Sequence, residues 1–258
     1  MRIFDNTILI TGGSSGIGLE FAAQLIDIGN TVIVTGRHQG TLDAARQKVP
    51  GIHTIQSDVS DPVGVARLCA SVIEEFPKLN VLINNAGIMR KFDLLASPLE
   101  LRDVIHEIEI NLNGTVAMVV QLLPHLDTKD QAAIVNVSSG LAFVPLAIAP
   151  IYCASKAAIH SFTQSLRLQL TDTRITIFEL VPPLTDTPLL KRDFGANDPV
   201  SVKKMDVKDM VRRAIEGLKK DQVEIRPGLS NALKIMSRLA PDFILKQLNR
   251  RALKLARR

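Results

Sequence analysis

Tryptophan is absent, tyrosine occurs once, and the 258 residues include only two cysteines. Cys69 and Cys153 lie far apart and form no CxxC pair, so neither a disulfide nor a thiolate metal site is expected; they suit a reducing compartment. His38, His53, His106, His125 and His160 include no HExxH or comparable spacing, and no metal is expected. No basic-then-apolar leader is visible, because Met1-Arg2-Ile3-Phe4-Asp5-Asn6 runs straight into strand-like sequence, which points to a cytoplasmic protein. Charge is missing between Asp130 and Lys156. That run still contains Asn136, Ser138, Ser139, Gly140, Pro145 and Pro150, too polar and too broken for a membrane span. Asn136-Val137-Ser138 spells a glycosylation sequon, but inside a run that reads as a buried strand. There is no internal repeat and no low-complexity linker.

What is present is a large apolar fraction, 46%, enough for a substantial core. Short β-rich runs alternate with longer helical patterns, the pattern of a parallel sheet wrapped by helices in an α/β, Rossmann-type doubly wound fold of one domain. Strands are expected at Thr7–Thr11, Thr31–Thr35, Ile52–Gln56, Val81–Ile83, Ala132–Val137, Ile175–Leu180 and Gln222–Arg226. The helices between them include a long one over Leu99–His125, one over Ile151–Leu170 and one over Val207–Lys219. Residues 182–204 read as a loop.

The net charge of +5 is unevenly placed. From Gly228 onward eight basic residues face Asp242 alone, so this tail carries +7 and the rest of the chain −2. Nucleic-acid binding wants basic residues interleaved with stacking aromatics, and the tail offers only Phe243, so no nucleic acid is expected. Residues 1–227 are taken as the dinucleotide-binding and catalytic domain and 228–258 as its helical basic extension. Two helical segments split by Pro241 alternate apolar and basic residues. Such a tail packs on its own domain or a partner subunit, or makes peripheral contact with a membrane surface.

Thr11-Gly12-Gly13-Ser14-Ser15-Gly16-Ile17-Gly18 joins the first strand to the first helix. Glycines there allow a tight turn whose N–H groups approach a pyrophosphate at a helix N-terminus. No Lys follows Gly18, which excludes a P-loop. The second strand leads to Gly36-Arg37, where an NAD-specific site would place an acid. Arg37 instead suits a 2′-phosphate, so NADP(H) is the expected cofactor, with NAD as the alternative. Tyr152 and Lys156 fall one helical turn apart on one face. A nearby ammonium and a cationic nicotinamide would lower the phenol from its free value of about 10 toward the range useful for proton transfer.

With Ser139 thirteen residues before Tyr152, Asn111-x-x-Gly114, Asn84-Asn85-Ala86-Gly87 and Asp58, the chain resembles the short-chain dehydrogenase/reductase family in its compact branch, from about Thr7 to Arg226. The resemblance implies hydride transfer between nicotinamide and a carbonyl or alcohol. Tyr152 would be the acid/base, Ser139 an oxyanion donor, and Lys156 the ligand of the nicotinamide ribose. Asn111 would hold a water in a proton relay. Asp58 and Val59 would meet adenine, while Asn85, Ala86 and Gly87 line the cofactor's middle. Pro182, Leu184 and Thr187 would contact its nicotinamide half, and the loop near Leu184–Val202 would close over it. Pro182-Pro183 replaces the family's usual Pro-Gly and removes an N–H from that loop. That variant and Ser139-Gly140-Leu141-Ala142-Phe143-Val144-Pro145-Leu146 are similar to the DltE-type branch, whose substrate no residue here implies. Leu141, Phe143, Val144, Leu146 and Ile148 either wall a substrate site or cap the core.

The rival class is a non-catalytic dinucleotide sensor, which hydride exchange with a carbonyl would exclude. Leu112–Leu123 and the helix carrying Ala154, Ala157, Phe162 and Leu168 are apolar nearly all round, so a homodimer or homotetramer joined through both is expected.

Overall fold

In a computed structural model, which describes residues 1–92, 94, 100–190 and 204–256, the chain forms a seven-stranded parallel sheet with helices on both faces. The first half runs β1 (Thr7–Ile10), α1 (Gly16–Asp27), β2 (Thr31–Gly36), α2 (Gln39–Lys48), β3 (His53–Gln56), α3 (Pro62–Glu75) and β4 (Leu79–Asn84). Then come α4 (Leu101–Ile108), a π-helical turn (Glu109–Asn113), α5 (Gly114–Asp127), β5 (Ala132–Val137), α6 (Pro150–Gln169) and β6 (Ile175–Leu180). After residues outside the description, α7 (Val207–Lys219) and β7 (Glu224–Ile225) finish the sheet, and α8 (Ser230–Leu239) and α9 (Pro241–Ala256) form the tail.

Alternation along the strands builds two cores. Ile8, Ile10, Val32, Val34, Phe178 and Leu180 face α1, α2 and α7, where Phe21, Leu25, Leu42, Met210 and Val211 complete the layer. Leu9, Ile33, Leu82, Ile134 and Ile177 face the other way, onto Val65, Leu68, Met118, Leu122 and Leu166 of α3, α5 and α6. A buried polar chain ties the second layer together. Asn84 donates to Asn136 (2.9 Å), and Asn136 donates to Thr163 on α6 (3.0 Å). The sequon asparagine is thus fully enclosed.

The strand order β3-β2-β1-β4-β5-β6-β7 reverses direction between β1 and β4. Two details depart from expectation. The last strand pairs through Glu224 and Ile225 alone. The helix expected to run unbroken to His125 is interrupted by the π-helical turn. A Cβ on Gly114 would sit 2.8 Å from the Val59 carbonyl, so α5 starts pressed against the loop after β3. Meanwhile the Asn111 side chain is held by Ile88, and the wider turn accommodates both demands. Glu109-Ile110-Asn111-Leu112-Asn113 holds neither a proline nor a glycine that would mark the turn. Among the described residues no helix is long and apolar enough to cross a membrane.

Candidate active site

A cleft of about 940 Å³ runs along the ends of the strands that precede helices, centred where the strand order reverses. Open parallel sheets bind ligands at that place.

One half of the cleft is made mostly of backbone. Gly12, Ser14, Ser15, Gly16 and Ile17 line it after β1, Arg37 after β2, Asp58 and Val59 after β3, and Asn85, Ala86 and Gly87 after β4. The glycines are required by close approach. A Cβ on Gly13 would lie 2.5 Å from Val34, and one on Gly12, itself at φ +64, would lie 2.8 Å from the Ala86 backbone. Gly18 is not on the cleft wall. Its missing side chain makes room for the Asn85 amide and the Gly12 carbonyl, which a Cβ would meet at 2.5 and 2.6 Å. Asn85 uses its side chain to strap the turn, donating to the carbonyls of Thr11 (3.0 Å) and Gly12 (3.1 Å). The Thr11 hydroxyl in turn accepts from the N–H groups of Asn85 and Ala86. Ser15 makes no side-chain cap on α1, and the first turn of that helix carries no acid, so its leading N–H groups face the cleft free of a competing anion. The Asp58 carboxylate is tied to the N–H and hydroxyl of Ser60. Arg37 is half-buried, and no acidic side chain among the described residues pairs with it. These features fit a dinucleotide: a cradle that side chains would fill, an anion-ready helix end, and a spare guanidinium.

The other half brings Ser139, Tyr152 and Lys156 together. Ser139 caps a short 3-10 turn (Gly140–Ala142), accepting from the Leu141 N–H at 3.1 Å, and faces the same cleft as Tyr152. The neighbouring Ser138 donates to Glu179 at 2.5 Å, and His160 contacts the same carboxylate at 2.8 Å. Lys156 donates to the Val137 carbonyl at 2.8 Å, its Nζ 5.8 Å from the centre of the Tyr152 ring. Asn111 is completely buried and off the cleft wall. It donates to the Ile88 carbonyl (2.9 Å) and Ser155 (3.0 Å) and accepts from the Ile88 N–H (2.8 Å). A Cβ on Gly87 would meet Asn111 at 3.2 Å and Lys156 at 3.5 Å, so that glycine lets both approach the backbone.

Tyr152 titrates otherwise than its spacing from Lys156 suggests. Burial pushes the phenol up to about 12; the neighbouring Ser139 hydroxyl pulls it down, and the charges of Cys153 and Glu107 push it further up. Burial lowers Lys156 to about 8 against the opposing charge of Glu107. In the protein alone, burial sets the direction for both groups. Glu107 on α4, fully enclosed, is a participant that its sequence position does not reveal.

Pro182, Leu184 and Thr187 also line the cleft. The prolines leave the loop well satisfied: the Pro182 carbonyl accepts from Gly140 N–H (3.1 Å) and the Pro183 carbonyl from the Thr185 hydroxyl (2.8 Å). Beyond Leu190, the part of the expected closing loop at 191–203 lies outside the described residues. Unexpected in the wall are the tail residues Leu229, Leu233, Met236, Ile244, Leu248 and Arg250. Their 3–4 spacing was legible, but spacing does not say which surface a stripe will meet.

Residues 6–197 match the model of the short chain dehydrogenase family. The chain is 41% identical over 249 residues to the uncharacterized oxidoreductase DltE of Bacillus subtilis, covering 96% of this chain and 98% of that protein. It is 32% identical over 192 residues to an NADP-dependent 3-hydroxy acid dehydrogenase of Schizosaccharomyces pombe, covering 72% and 74%. Among solved structures, a short chain dehydrogenase from Burkholderia cenocepacia in complex with NADP superposes with TM-score 0.82 at 24% identity over 96% of this chain and 99% of that one. A relative from Burkholderia phymatum in complex with NAD gives 0.81 at 23% identity, covering 96% and 98%. At these identities the two structures show the fold.

Proposed function

The chain belongs to the short-chain dehydrogenase family of oxidoreductases, and on that premise we propose that it is an NADP(H)-dependent enzyme interconverting a carbonyl and an alcohol, with Tyr152 as acid/base. The observation that carries this is Ser139, Tyr152 and Lys156 gathered on one wall at the end of a glycine-walled cleft, with Lys156 one helical turn from Tyr152. A surrounding that holds the phenol protonated suits the reductive direction, in which Tyr152 gives its proton to the carbonyl oxygen. Ser139 hydrogen-bonds the same oxygen as charge grows there. Lys156, anchored on the Val137 carbonyl, binds the ribose hydroxyls, and Asn111 holds its turn of backbone beside Lys156. The nicotinamide supplies the hydride. Arg37 meets the 2′-phosphate, which favours NADPH over NADH, while Gly12, Ser14, Ser15, Gly16 and Ile17 take the pyrophosphate. Gly18 serves the same cradle from behind. The Schizosaccharomyces relative is named as NADP-dependent, which agrees with the assignment to Arg37.

A panel of aldehydes, ketones and secondary alcohols, followed through NADPH absorbance, tests this reading. Turnover that vanishes in Tyr152→Phe is the expected outcome. NADPH binding without turnover of any member would favour a sensor that only reads the cofactor.

The reading extends to assembly. Val120 on α5 and Leu168 on α6 stand 59% and 78% exposed, and Ala154 and Ala157 lie open on the same α6 helix. These faces suit a two-fold contact between copies, a homodimer or a tetramer. The tail, taken as an extension of the same domain, bonds to Pro145 and Ala147, and Val120 and Leu168 stay open. Light scattering at micromolar concentration checks this; a strict monomer would contradict it.

A further inference from the structure

The two tail helices roof the half of the cleft that holds Tyr152. Leu229, just before α8, and Leu233 and Met236 on it line the cleft, as do Ile244 and Leu248 on α9. Leu248 packs into the buried cluster around Met89, Leu146 and Tyr152. The roof is pinned. Asn249, 5% exposed, accepts from the Ala147 N–H at 2.6 Å and donates to the Pro145 carbonyl at 2.9 Å. Gly140 is a glycine where α8 presses down, since a Cβ there would meet Leu233 at 3.0 Å. Lys234 holds α8 to Glu224 through an ion pair with both side chains largely enclosed.

The next residue after the pin, Arg250, lies on the cavity wall with its side chain reaching water, and no acid among the described residues pairs with it. Among the described residues, the charged ones on the cleft wall are Arg37, Lys156 and Arg250 against Asp58. Arg37 and Lys156 are both taken up by the cofactor under the function proposed above. Arg250 is left over, on a tail wall that otherwise offers Leu, Met, Ile, Ala and Gln247. A chamber of Leu, Met and Ile selects a hydrocarbon body, and an unpaired guanidinium at its rim selects an anion.

Resting on the oxidoreductase reading, we infer that the substrate is an amphiphile: an aliphatic carbonyl compound whose anionic end group, carboxylate or phosphate, sits at Arg250 while its carbonyl reaches Tyr152. In the reductive direction the carbonyl carbon takes the hydride of the reduced cofactor and the carbonyl oxygen takes the Tyr152 proton. The alcohol and the oxidised cofactor leave, and the phenolate regains a proton from solvent.

Calorimetric titration of the full chain saturated with NADPH tests the recognition without turnover, since decanoate, decyl phosphate and uncharged decanol offer no carbonyl that accepts its hydride. At least one anion should bind about fivefold tighter than decanol, as a single partly exposed ion pair allows. Arg250→Gln should erase that difference, and Lys246→Gln, on the same helix, should keep it. In parallel, the ω-oxo derivative of decanoate should be reduced with a lower KM than decanal. Arg250→Gln should raise only the KM of the oxo-acid and leave kcat in place. Equal binding of anions and decanol, or an Arg250→Gln variant that behaves as wild type with the oxo-acid, overturns the inference while any decanal turnover keeps the oxidoreductase reading. Binding of an anion that depends on Arg250, with neither aldehyde reduced, keeps the recognition and removes the oxidoreductase reading.

Discussion

Between Gly12 and Val59 the cleft is walled largely by backbone and polar side chains, and between Ser139 and Arg250 largely by leucine, proline, methionine and isoleucine around Tyr152 and Lys156. The first half is rigid for a local reason. Gly12, Gly13 and Gly18 are packed so closely that no side chain fits, and Asn85 straps the turn from the next strand. The second half is assembled from parts distant in sequence, with α9 pinned by Asn249 onto residues about a hundred positions earlier. A ligand that many proteins share can be met by a local, repeated device. A ligand particular to one enzyme is met by whichever late segment reaches the reacting group.

Four substitutions or conditions should separate the halves. Tyr152→Phe removes the proton donor of the second half and touches nothing in the first. The kcat/KM for any reduced carbonyl should fall by about 10³, within the range for loss of a general acid. The NADPH Kd measured by calorimetry should stay within about twofold. Retention of more than a tenth of wild-type turnover would mean the wrong residue has been assigned.

Gly18→Val tests the first half. Its Cβ would enter the space of the Asn85 amide and the Gly12 carbonyl. Overpacking of this kind costs about 1–3 kcal/mol, so the NADPH Kd should rise roughly tenfold or more. The thermal midpoint should fall as well. An unchanged Kd would show that the turn tolerates the intrusion and that the strap does not shape the cradle.

Arg37→Asp places a carboxylate where the 2′-phosphate is expected. NADPH should bind about tenfold weaker or worse, with NADH nearly unaffected, since charge-assisted hydrogen bonds contribute about 1.5–3 kcal/mol. Parallel losses for both cofactors would remove Arg37 from the site.

The smallest effect is on stability against pH. Lys156 titrates at about 8 in the folded chain and at its ordinary 10.5 when unfolded, so the unfolded chain binds more protons between those values. Stability therefore rises with pH across that window, by on the order of 3 kcal/mol in full. Tyr152, raised from 10 to about 12, acts oppositely above pH 10. Urea midpoints compared between wild type and Lys156→Met from pH 7.5 to 9.5 should show the wild type gaining on the variant. A constant gap would mean that Lys156 is not held in a desolvated site.

Much of the fold was legible because strand and helix periods are local. Ala132–Val137, Ile175–Leu180 and Val207–Lys219 begin and end where their patterns do, at a polar break or an aspartate cap such as Asp206. The cofactor half was legible for the same reason, since glycine spacing and an arginine after a strand are features of a few consecutive residues. Other features depend on packing between segments. The π-helical turn around Asn111 answers to Val59 and Ile88, both remote in sequence. The upward shift of Tyr152 comes from enclosure, to which its spacing from Lys156 is blind. The inward stripe of the tail could be seen, but its destination over Tyr152 could not.

The most direct test of the central claim follows the hydride itself. The full chain is incubated with NADPH deuterated at its hydride-bearing carbon and with the carbonyl that the panel identifies, and the product is analysed by mass spectrometry. The account predicts an alcohol carrying one deuterium on the former carbonyl carbon, formed by wild type and not by Tyr152→Phe. Tight NADPH binding with no deuterium reaching any carbonyl would contradict it and leave a cofactor-binding sensor in its place.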